Sequence, residues 1–270
     1  MKANRQVTTE DFFATFPVFS LDEAEKAMNP PGGRTGMVER LKHHLGTGRL
    51  KRVTRGVYAV VPKGQESARF QPDPFLAARA IRPDGVFCFH SALQLLGSAH
   101  SSWNRTTLFS NRRRQPLEMA DGNVLFLAHP APLRQGGALL GTRQVERQGQ
   151  LLRVTGPERT LVEGFSRLDL SGGLGEFAES AGGLPAFDLK LLESVLERYA
   201  TASLWAAVGW FLETRRATFQ VPDTFFARLE SRRPKAPQYL AHRQRTGKLA
   251  SRWNLILPVT AESPGGPDER

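Results

Sequence analysis

The stretch RTGMVERLKHHLGTGRLKRVTRGVY, residues 34–58, decides how the N-terminal part of the chain folds. Gly46 and Gly48 lie in its middle, and glycine is the usual residue just past a helix end. We therefore predict a helix over 34–45. Three apolar residues ahead of the glycines recur at i, i+3 and i+7, the spacing of one helix face: Val38, Leu41 and Leu45.

A short hairpin is predicted after the helix. Residues 49–61 are rich in β-branched side chains, and Arg55-Gly56 supplies a turn dipeptide between two strands. Leu50 and Val53 lie an odd number of residues apart, so they cannot share one face of a regular strand. Either a bulge interrupts the first strand, or only one of these two residues belongs to the core.

The predicted helix and hairpin are strongly basic. Residues 34–55 contain seven Lys or Arg and one acid, Glu39. Arginine on the outer helix face, where Gly36 is also expected, would read guanine in a major groove through two hydrogen bonds. Cations of the hairpin would neutralise phosphates, which fixes register without reading sequence. The candidate DNA-binding residues are Arg34, Thr35, Arg40, His43, Arg49, Lys51, Arg52 and Arg55.

Two further helices are predicted ahead of this stretch. A helix over 9–16 would begin at a threonine cap, Thr8 or Thr9. Ser20 and Glu23 have the spacing of a capping box, so a second helix is expected to begin there. The order helix, helix, turn, helix, hairpin is that of a winged helix-turn-helix, which meets DNA with its last helix and its wing.

Composition narrows the class of partner and the compartment. The 270 residues carry a formal net charge of +11, an excess that favours a polyanionic partner, nucleic acid before membrane. The single cysteine, Cys88, rules out an internal disulfide and is typical of a reducing cytoplasm. The sequence shows no signal-peptide pattern, and no run approaches the roughly 18 apolar residues of a membrane span. We expect a cytoplasmic protein that does not enter the membrane.

The remaining residues predict a larger mixed α/β domain, so the fold class is α+β. Residues 63–71 are polar and lack periodicity, and we interpret them as a linker after a winged-helix domain over 1–62. Short strands alternate with helices over 72–258. Residues 259–270 are expected to form a disordered tail.

No known catalytic motif occurs in the sequence. Phosphate-loop, nucleophile-elbow, zinc-protease and paired-cysteine patterns are all missing, so we expect no enzyme activity, no cofactor and no metal site. Glu158, Arg159 and Glu163 form a compact charged set near a loop-to-helix junction. In a structural role, Glu158 would cap that helix and Arg159 would pair with a neighbour; contact with a partner protein is the alternative.

Two other basic runs have two interpretations, a solvated surface or a nucleic-acid contact. One is the loop 112–114, which consists of three arginines. The other comprises the cations between residues 228 and 248. Charge alone does not separate the two interpretations.

Three sequence elements carry a family resemblance: RVTRGVYAV at 52–60, FHSALQLLG at 89–97 and VTGPERTLVE at 154–163. Over roughly residues 9–258 the chain resembles the AbiEi family of antitoxins. These are the antitoxin partners of abortive-infection (type IV) toxin–antitoxin systems. A basic wing is shared by many regulators, whereas the PERTLVE element is the more specific of the signals.

The resemblance implies an N-terminal domain that binds double-stranded DNA at inverted repeats in its own promoter and represses the operon. It also implies a C-terminal domain that counters a nucleotidyltransferase-like toxin. DNA binding then falls on the helix 34–45 and the wing 49–55, while Glu158, Arg159 and Glu163 are the candidates for the antitoxin domain. Recognition of an inverted repeat needs two reading heads, either in a dimer or in cooperatively bound monomers.

Two alternatives to the antitoxin are kept. One is a stand-alone winged-helix transcriptional regulator without a toxin. The other is an enzyme, a nuclease or kinase, with a winged helix for targeting.

Overall fold

The computed structural model describes residues 7–112, 115–241 and 246–258. Helices and sheets are mixed along the chain, which confirms the predicted α+β class. The predicted boundary through residues 63–71 concerns independently folding domains and stays a prediction. By spatial proximity the chain divides into two units: unit 1 comprises Met1–Val86, Asn104–Ala128 and Gln144–Arg153, and unit 2 comprises Phe87–Trp103, His129–Arg143 and Val154–Arg270.

Unit 1 begins with a winged-helix arrangement. Its elements are α1 (Thr9–Thr15), β1 (Val18–Ser20), α2 (Leu21–Met28), α3 (Gly33–Gly46), β2 (Leu50–Thr54) and β3 (Val57–Val60). The three strands form a sheet in the order β1-β3-β2, and both pairings are antiparallel. The predicted order of helices and hairpin is therefore confirmed, with β1 added between the first two helices.

Side-chain caps set the helix starts of the winged helix. Thr8 Oγ1 accepts a hydrogen bond from Asp11 N at the start of α1. Ser20 Oγ accepts from Glu23 N, and Glu23 Oε2 accepts from Ser20 N, which confirms the capping box of α2. Such caps satisfy N–H groups that have no partner in a first helical turn.

A bulge in β2 explains the spacing of its apolar residues. The register with β3 shifts between Arg52 and Thr54, around Val53. Leu50 is buried in the winged-helix core, whereas Val53 is half-buried. The strand therefore has the bulge, and only Leu50 of the two residues belongs fully to the core.

The winged-helix core is rich in aromatic rings. Phe12 stacks on Phe16 at a centroid distance of 4.8 Å and meets Phe19 edge-on at 5.0 Å. Aromatic pairs bury large apolar areas and prefer these geometries. Met37 and Leu41 attach α3 to this core, because both are buried and lie four residues apart on one helix face.

A six-stranded sheet follows the winged helix in sequence. Its strands are β4 (Val86–Phe87), β5 (Arg105–Phe109), β6 (Leu117–Met119), β7 (Gly122–Leu127), β8 (Thr142–Arg147) and β9 (Gln150–Thr155). The strand order is β6-β7-β5-β4-β9-β8. Gln148 and Gly149 both have positive φ, as a two-residue turn between β8 and β9 requires. Helix α4 (Pro74–Ile81) starts at Asp73, whose carboxylate accepts from two backbone N–H groups.

Unit 2 is mainly helical. Its helices are α5 (His90–Leu95), α6 (Pro157–Ser166), α7 (Gly173–Gly182), α8 (Leu189–Tyr199), α9 (Ala202–Thr214), α10 (Arg216–Phe219) and α11 (Asp223–Ser231). α9 is apolar on most of its surface and passes through the hydrophobic core. A Cβ at Gly209 would lie 2.2 Å from the Trp253 ring, so only glycine allows this close packing.

A small C-terminal sheet completes unit 2. It consists of β10 (Gln238–Tyr239), β11 (Lys248–Ala250) and β12 (Leu255–Leu257), in the order β10-β12-β11. β12 is parallel to β10 and antiparallel to β11. Leu255 is buried in the core of unit 2, which fixes one face of this sheet to the helices.

The sequence predicts the long elements and misses several of the short ones. It does not predict β1, β6, β10, β11 or α10, which span two to four residues each. A segment of that length shows no hydrophobic period, so its conformation is set by pairing and packing. The predicted tail, 259–270, lies outside the described residues. None of the helices that the structure describes has the length and apolarity needed to cross a bilayer.

Candidate nucleic-acid interface

Helix α3 and the wing place the predicted DNA-binding residues on unit 1. α3 buries Met37 and Leu41, and Val38 and Leu45 pack partly against the same core. The opposite side of α3 is left to polar residues, as the sequence predicts. The wing strands β2 and β3 follow α3 directly, after a turn in which Gly48 has φ +70.

Gly36 does not belong to the outer face of α3. A Cβ at this position would lie 2.1 Å from the carbonyl oxygen of Pro31. Gly36 therefore faces the turn between α2 and α3, and its prediction as an outward residue is wrong. The glycine allows that turn to approach the first helical turn of α3 closely.

Arg34 connects α3 to α2. Its guanidinium pairs with Asp22 at 2.5 Å and with Glu25 at 3.3 Å. The hydrogen bond with Asp22 raises the pKa of Arg34. The guanidinium is exposed, so the pair contributes little to stability, but a phosphate at Arg34 would compete with two carboxylates.

Arg49 and Lys51 also have partners inside unit 1. Arg49 forms an ion pair with Glu10, and its guanidinium carbon lies 5.2 Å from the ring centroid of Phe13. The hydrogen bond from Arg49 lowers the pKa of Glu10. Lys51 Nζ donates to the carbonyl of Phe70 at 2.5 Å. These two cations hold the base of the wing to α1 and to the segment after β3.

Of the predicted residues, four basic ones remain available to a ligand: Arg40, His43, Arg52 and Arg55. Their side chains form no hydrogen bond or ion pair with the other residues that the structure describes. Arg40 is half-buried and the other three are exposed, as is Thr35. We call these four residues the candidate interface. Two of them lie on α3 and two on the wing, as a winged helix bound to DNA requires.

The adjacent His44 differs from His43. It is half-buried, and its ring meets the Phe13 ring edge-on at 5.1 Å. Burial lowers the pKa of His44, and the charge of Arg49 lowers it further. His44 is therefore neutral at pH 7 and adds no charge to α3.

The loop after β5 is ordered by one acid. Asp84 accepts hydrogen bonds from Ser110 Oγ at 3.2 Å and from Asn111 N at 2.9 Å. Arg112, which follows, is exposed. Arg113 and Arg114 lie outside the described residues, as do Arg243 and Arg245 of the other basic run. The two interpretations of these runs stay open.

The motif VTGPERTLVE forms the end of β9 and the start of α6 in unit 2. Arg159 and Glu163 are fully buried, and Arg159 Nε donates to Glu163 Oε1 at 2.8 Å. Arg159 Nη1 also donates to the carbonyls of Ala138 and Leu140, at 2.8 and 3.0 Å. The predicted pairing of Arg159 is confirmed, and the arginine fixes the loop ahead of β8 to α6.

Tyr199 of α8 completes this buried network. Its hydroxyl donates to Glu163 Oε1 at 2.7 Å. Burial raises the pKa of Glu163, against the opposing charge of Arg159 and the hydrogen bond from Tyr199. Burial and the neighbouring Glu163 raise the pKa of Tyr199. The sequence gives no signal for Tyr199, because 36 residues separate it from Glu163.

Glu158 caps a different helix from the predicted one. Its Oε1 accepts from Asp188 N, the first residue ahead of α8, at 2.8 Å. α6 itself begins after Gly156 without a side-chain cap, so the prediction that Glu158 caps α6 is wrong. With Glu158 buried as well, all three motif residues lie inside unit 2 rather than on its surface.

A second polar cluster surrounds Glu176, which is half-buried. Its Oε1 accepts from Ser180 Oγ at 2.9 Å and from Ser101 N at 3.1 Å, and it lies 3.3 Å from His90 Nε2. Burial raises the pKa of Glu176, but the hydrogen bonds outweigh this effect and hold the pKa below its ordinary value. His90 stacks on Trp103 at 4.5 Å and is 1% exposed, a structural position. Burial lowers the pKa of His90.

In the part of the chain that the structure describes, no group of three or more His, Cys, Asp or Glu side chains could hold a metal ion. The fold is thus a winged-helix arrangement within an α+β chain, and the basic residues of the candidate interface on α3 and the wing form no hydrogen bond or ion pair with the other described residues.

Comparison with known proteins supports the fold only. No family model and no curated protein matches the chain. Among solved structures, the chain is similar to the Rv2827c protein from Mycobacterium tuberculosis, with a TM-score of 0.57 and 17% sequence identity. The match covers 89% of this chain and 86% of that one. At this identity the similarity shows a shared fold and nothing about activity.

Proposed function

We propose that this protein is a DNA-binding antitoxin of the abortive-infection (AbiE-like) type that represses its own operon. The observation that carries the DNA-binding part is the candidate interface. The side chains of Arg40, His43, Arg52 and Arg55 form no hydrogen bond or ion pair with the described residues, although those of the neighbouring Arg34, Arg49 and Lys51 all do. The net charge of +11 supports the same conclusion.

The residues of the candidate interface have two roles, one for those on α3 and another for those on the wing. Arg40 and His43 on α3 read base edges, and arginine is the residue that contacts guanine through two hydrogen bonds. Arg52 and Arg55 on the wing neutralise phosphates and position the protein. The operator is an inverted repeat in the promoter, bound by a dimer or by cooperative monomers, and the protein acts in the cytoplasm.

The antitoxin part rests on the resemblance of VTGPERTLVE to the AbiEi family. Because Glu158, Arg159 and Glu163 are buried, we assign them to the framework of unit 2. Neutralisation of a nucleotidyltransferase-like toxin, direct or indirect, then uses other residues of this unit. A role in the framework accounts for the burial of Arg159 and Glu163, because the two side chains pair with each other inside the unit.

A mobility-shift titration with the protein's own promoter fragment tests the DNA-binding part. Arg40→Ala should relax the sequence preference, at a cost of about 1–3 kcal/mol at one position of the site. Arg52→Ala should weaken binding to all sequences alike and reduce the salt slope by about one. Arg143→Ala is the matched control, because Arg143 is exposed in unit 2 and lies outside the candidate interface. If both interface variants bind like wild type, this surface is not the one that contacts DNA.

The neighbouring reading frame and a growth assay test the antitoxin part. Expression of an adjacent nucleotidyltransferase-like gene alone should arrest growth, and co-expression of this protein should relieve the arrest even with Arg40→Ala and Arg52→Ala combined. Operator binding without any such neighbour would support the stand-alone regulator. Metal-dependent cleavage or phosphate transfer by the purified protein would support the enzyme instead.

A further inference from the structure

Five exposed residues form a stripe along the outer side of α3, with an acid in its middle. They are Thr35, Glu39, Lys42, His43 and Gly46. A helix turns by about 100° per residue, so the other four lie within about 60° of Glu39 around the helix axis. We call these five residues the outer stripe.

Glu39 projects away from the winged-helix core. Met37 and Leu41, which attach α3 to that core, lie about 160° from Glu39 around the helix axis. Arg40 is half-buried at the margin of the outer stripe, whereas the Glu39 side chain is 63% exposed. A ligand that approaches α3 from the solvent side therefore meets the carboxylate of Glu39.

The carboxylate of Glu39 is held by one weak ion pair. Lys42 Nζ lies 2.6 Å from Glu39 Oε1, and the Lys42 side chain is 62% exposed. Exposed ion pairs contribute little to stability, because water competes for both charges. Glu39 can therefore leave Lys42 for a ligand at small cost. The sequence of α3 contains no other acid.

The chemistry of a carboxylate restricts what Glu39 can contact on DNA. An ionised carboxylate only accepts hydrogen bonds, so it is repelled by phosphates and weakens binding unless it meets a donor. In the major groove the donors are the amino groups of cytosine and adenine, whereas guanine and thymine present acceptors. Adenine also carries the acceptor N7 beside its amino group. Cytosine is therefore the base that fits a carboxylate.

We propose that Glu39 determines the sequence specificity of α3 by accepting a hydrogen bond from the N4 amino group of a cytosine in each half-site. Its ion pair with Lys42 opens when the contact forms. Guanine and thymine are rejected at this position, because their acceptors would face the carboxylate. The inference rests on the proposed function, since it requires α3 to be the helix that enters the major groove.

Selection from random DNA duplexes tests the role of Glu39. The full chain is mixed with a pool randomised over about 20 base pairs, two turns of DNA, and bound duplexes are separated by mobility shift and sequenced. Wild type should enrich an inverted repeat with cytosine at one position of each half-site. Glu39→Gln should move the preference at that position to adenine, because an amide pairs with adenine N6 and N7. Glu39→Ala should lose the preference there, an effect of about tenfold, and keep it elsewhere.

Two control variants separate the contact from charge and from a neighbouring reader. Glu66 forms an exposed ion pair with Arg69 at the same i,i+3 spacing, but it lies outside α3. Glu66→Gln should therefore leave the preference at every position unchanged. Lys42→Ala should keep the cytosine preference, because the carboxylate itself makes the contact. A lysine that contacts the guanine of the same base pair would give a similar preference, and its loss in Lys42→Ala would overturn the inference.

The selection also separates this inference from the proposed function. If wild type enriches no sequence, both fail. If wild type and Glu39→Gln enrich the same sequence, Glu39 does not read a base, and only this inference fails. A changed preference in Glu66→Gln would mean that charge, rather than the position of Glu39, sets the specificity, and would overturn the inference as well.

Discussion

Arg159 Nε donates a hydrogen bond to Glu163 Oε1 at 2.8 Å, and neither side chain is exposed to solvent. Removing one partner of a buried pair leaves a charge without compensation, which costs about 3–5 kcal/mol. We expect Arg159→Met to lower the urea midpoint of unfolding markedly. Arg215→Met, which removes a partly exposed pair with Glu179, is the control and should have a small effect. Equal shifts for the two variants would show that the buried network does not stabilise unit 2.

Glu176 should make stability depend on pH in the acid range. Hydrogen bonds hold its folded pKa below the ordinary glutamate value despite burial. A lowered folded pKa stabilises the protein above the unfolded pKa, and this stability is lost as pH falls through the folded pKa. Glu176→Gln should therefore flatten the acid limb of thermal stability against pH. Glu179→Gln, an exposed change on the same helix, should leave that limb intact.

Gly36→Ala should disrupt the packing of α3 against the turn that precedes it. Its Cβ would lie 2.1 Å from the Pro31 carbonyl oxygen, so the turn between α2 and α3 must move. Overpacking of this kind costs about 1–3 kcal/mol. Gly46→Ala, at the other end of α3, meets nothing within 4 Å and should be neutral or stabilising. Denaturation curves of the two variants check the difference; identical curves would contradict the close approach at Gly36.

Arg49 and Arg52 should behave differently although both belong to the basic wing segment. Arg49 is paired with Glu10, whereas Arg52 has no ion pair among the described residues. We expect Arg52→Ala to weaken duplex binding and reduce the salt slope, and Arg49→Ala to change both much less. Salt titrations of promoter binding measure the two slopes. A larger loss at Arg49 would mean that DNA displaces Glu10 from the arginine.

The sequence by itself determined the local elements of the winged helix. Thr8, Ser20 and Glu23 form capping hydrogen bonds with residues three positions away. These bonds depend only on the local sequence at a helix start. The odd spacing of Leu50 and Val53 allowed either a bulge or a single core residue, and the register shift with β3 shows that β2 has the bulge. Among the helices of unit 2, α8 likewise carries its own cap, Asp188.

Only the tertiary structure decided which charged residues pair within the protein and which are available to a ligand. Arg34 and Arg52 look alike in sequence, but Arg34 meets Asp22 and Glu25 of another helix. The same holds for PERTLVE, in which Glu158 caps α8 and Glu163 meets Tyr199 of that helix. Local periodicity carries no information about partners that are distant along the chain, because packing between elements brings them together. That packing separated the charges that build this fold from those that remain for a ligand.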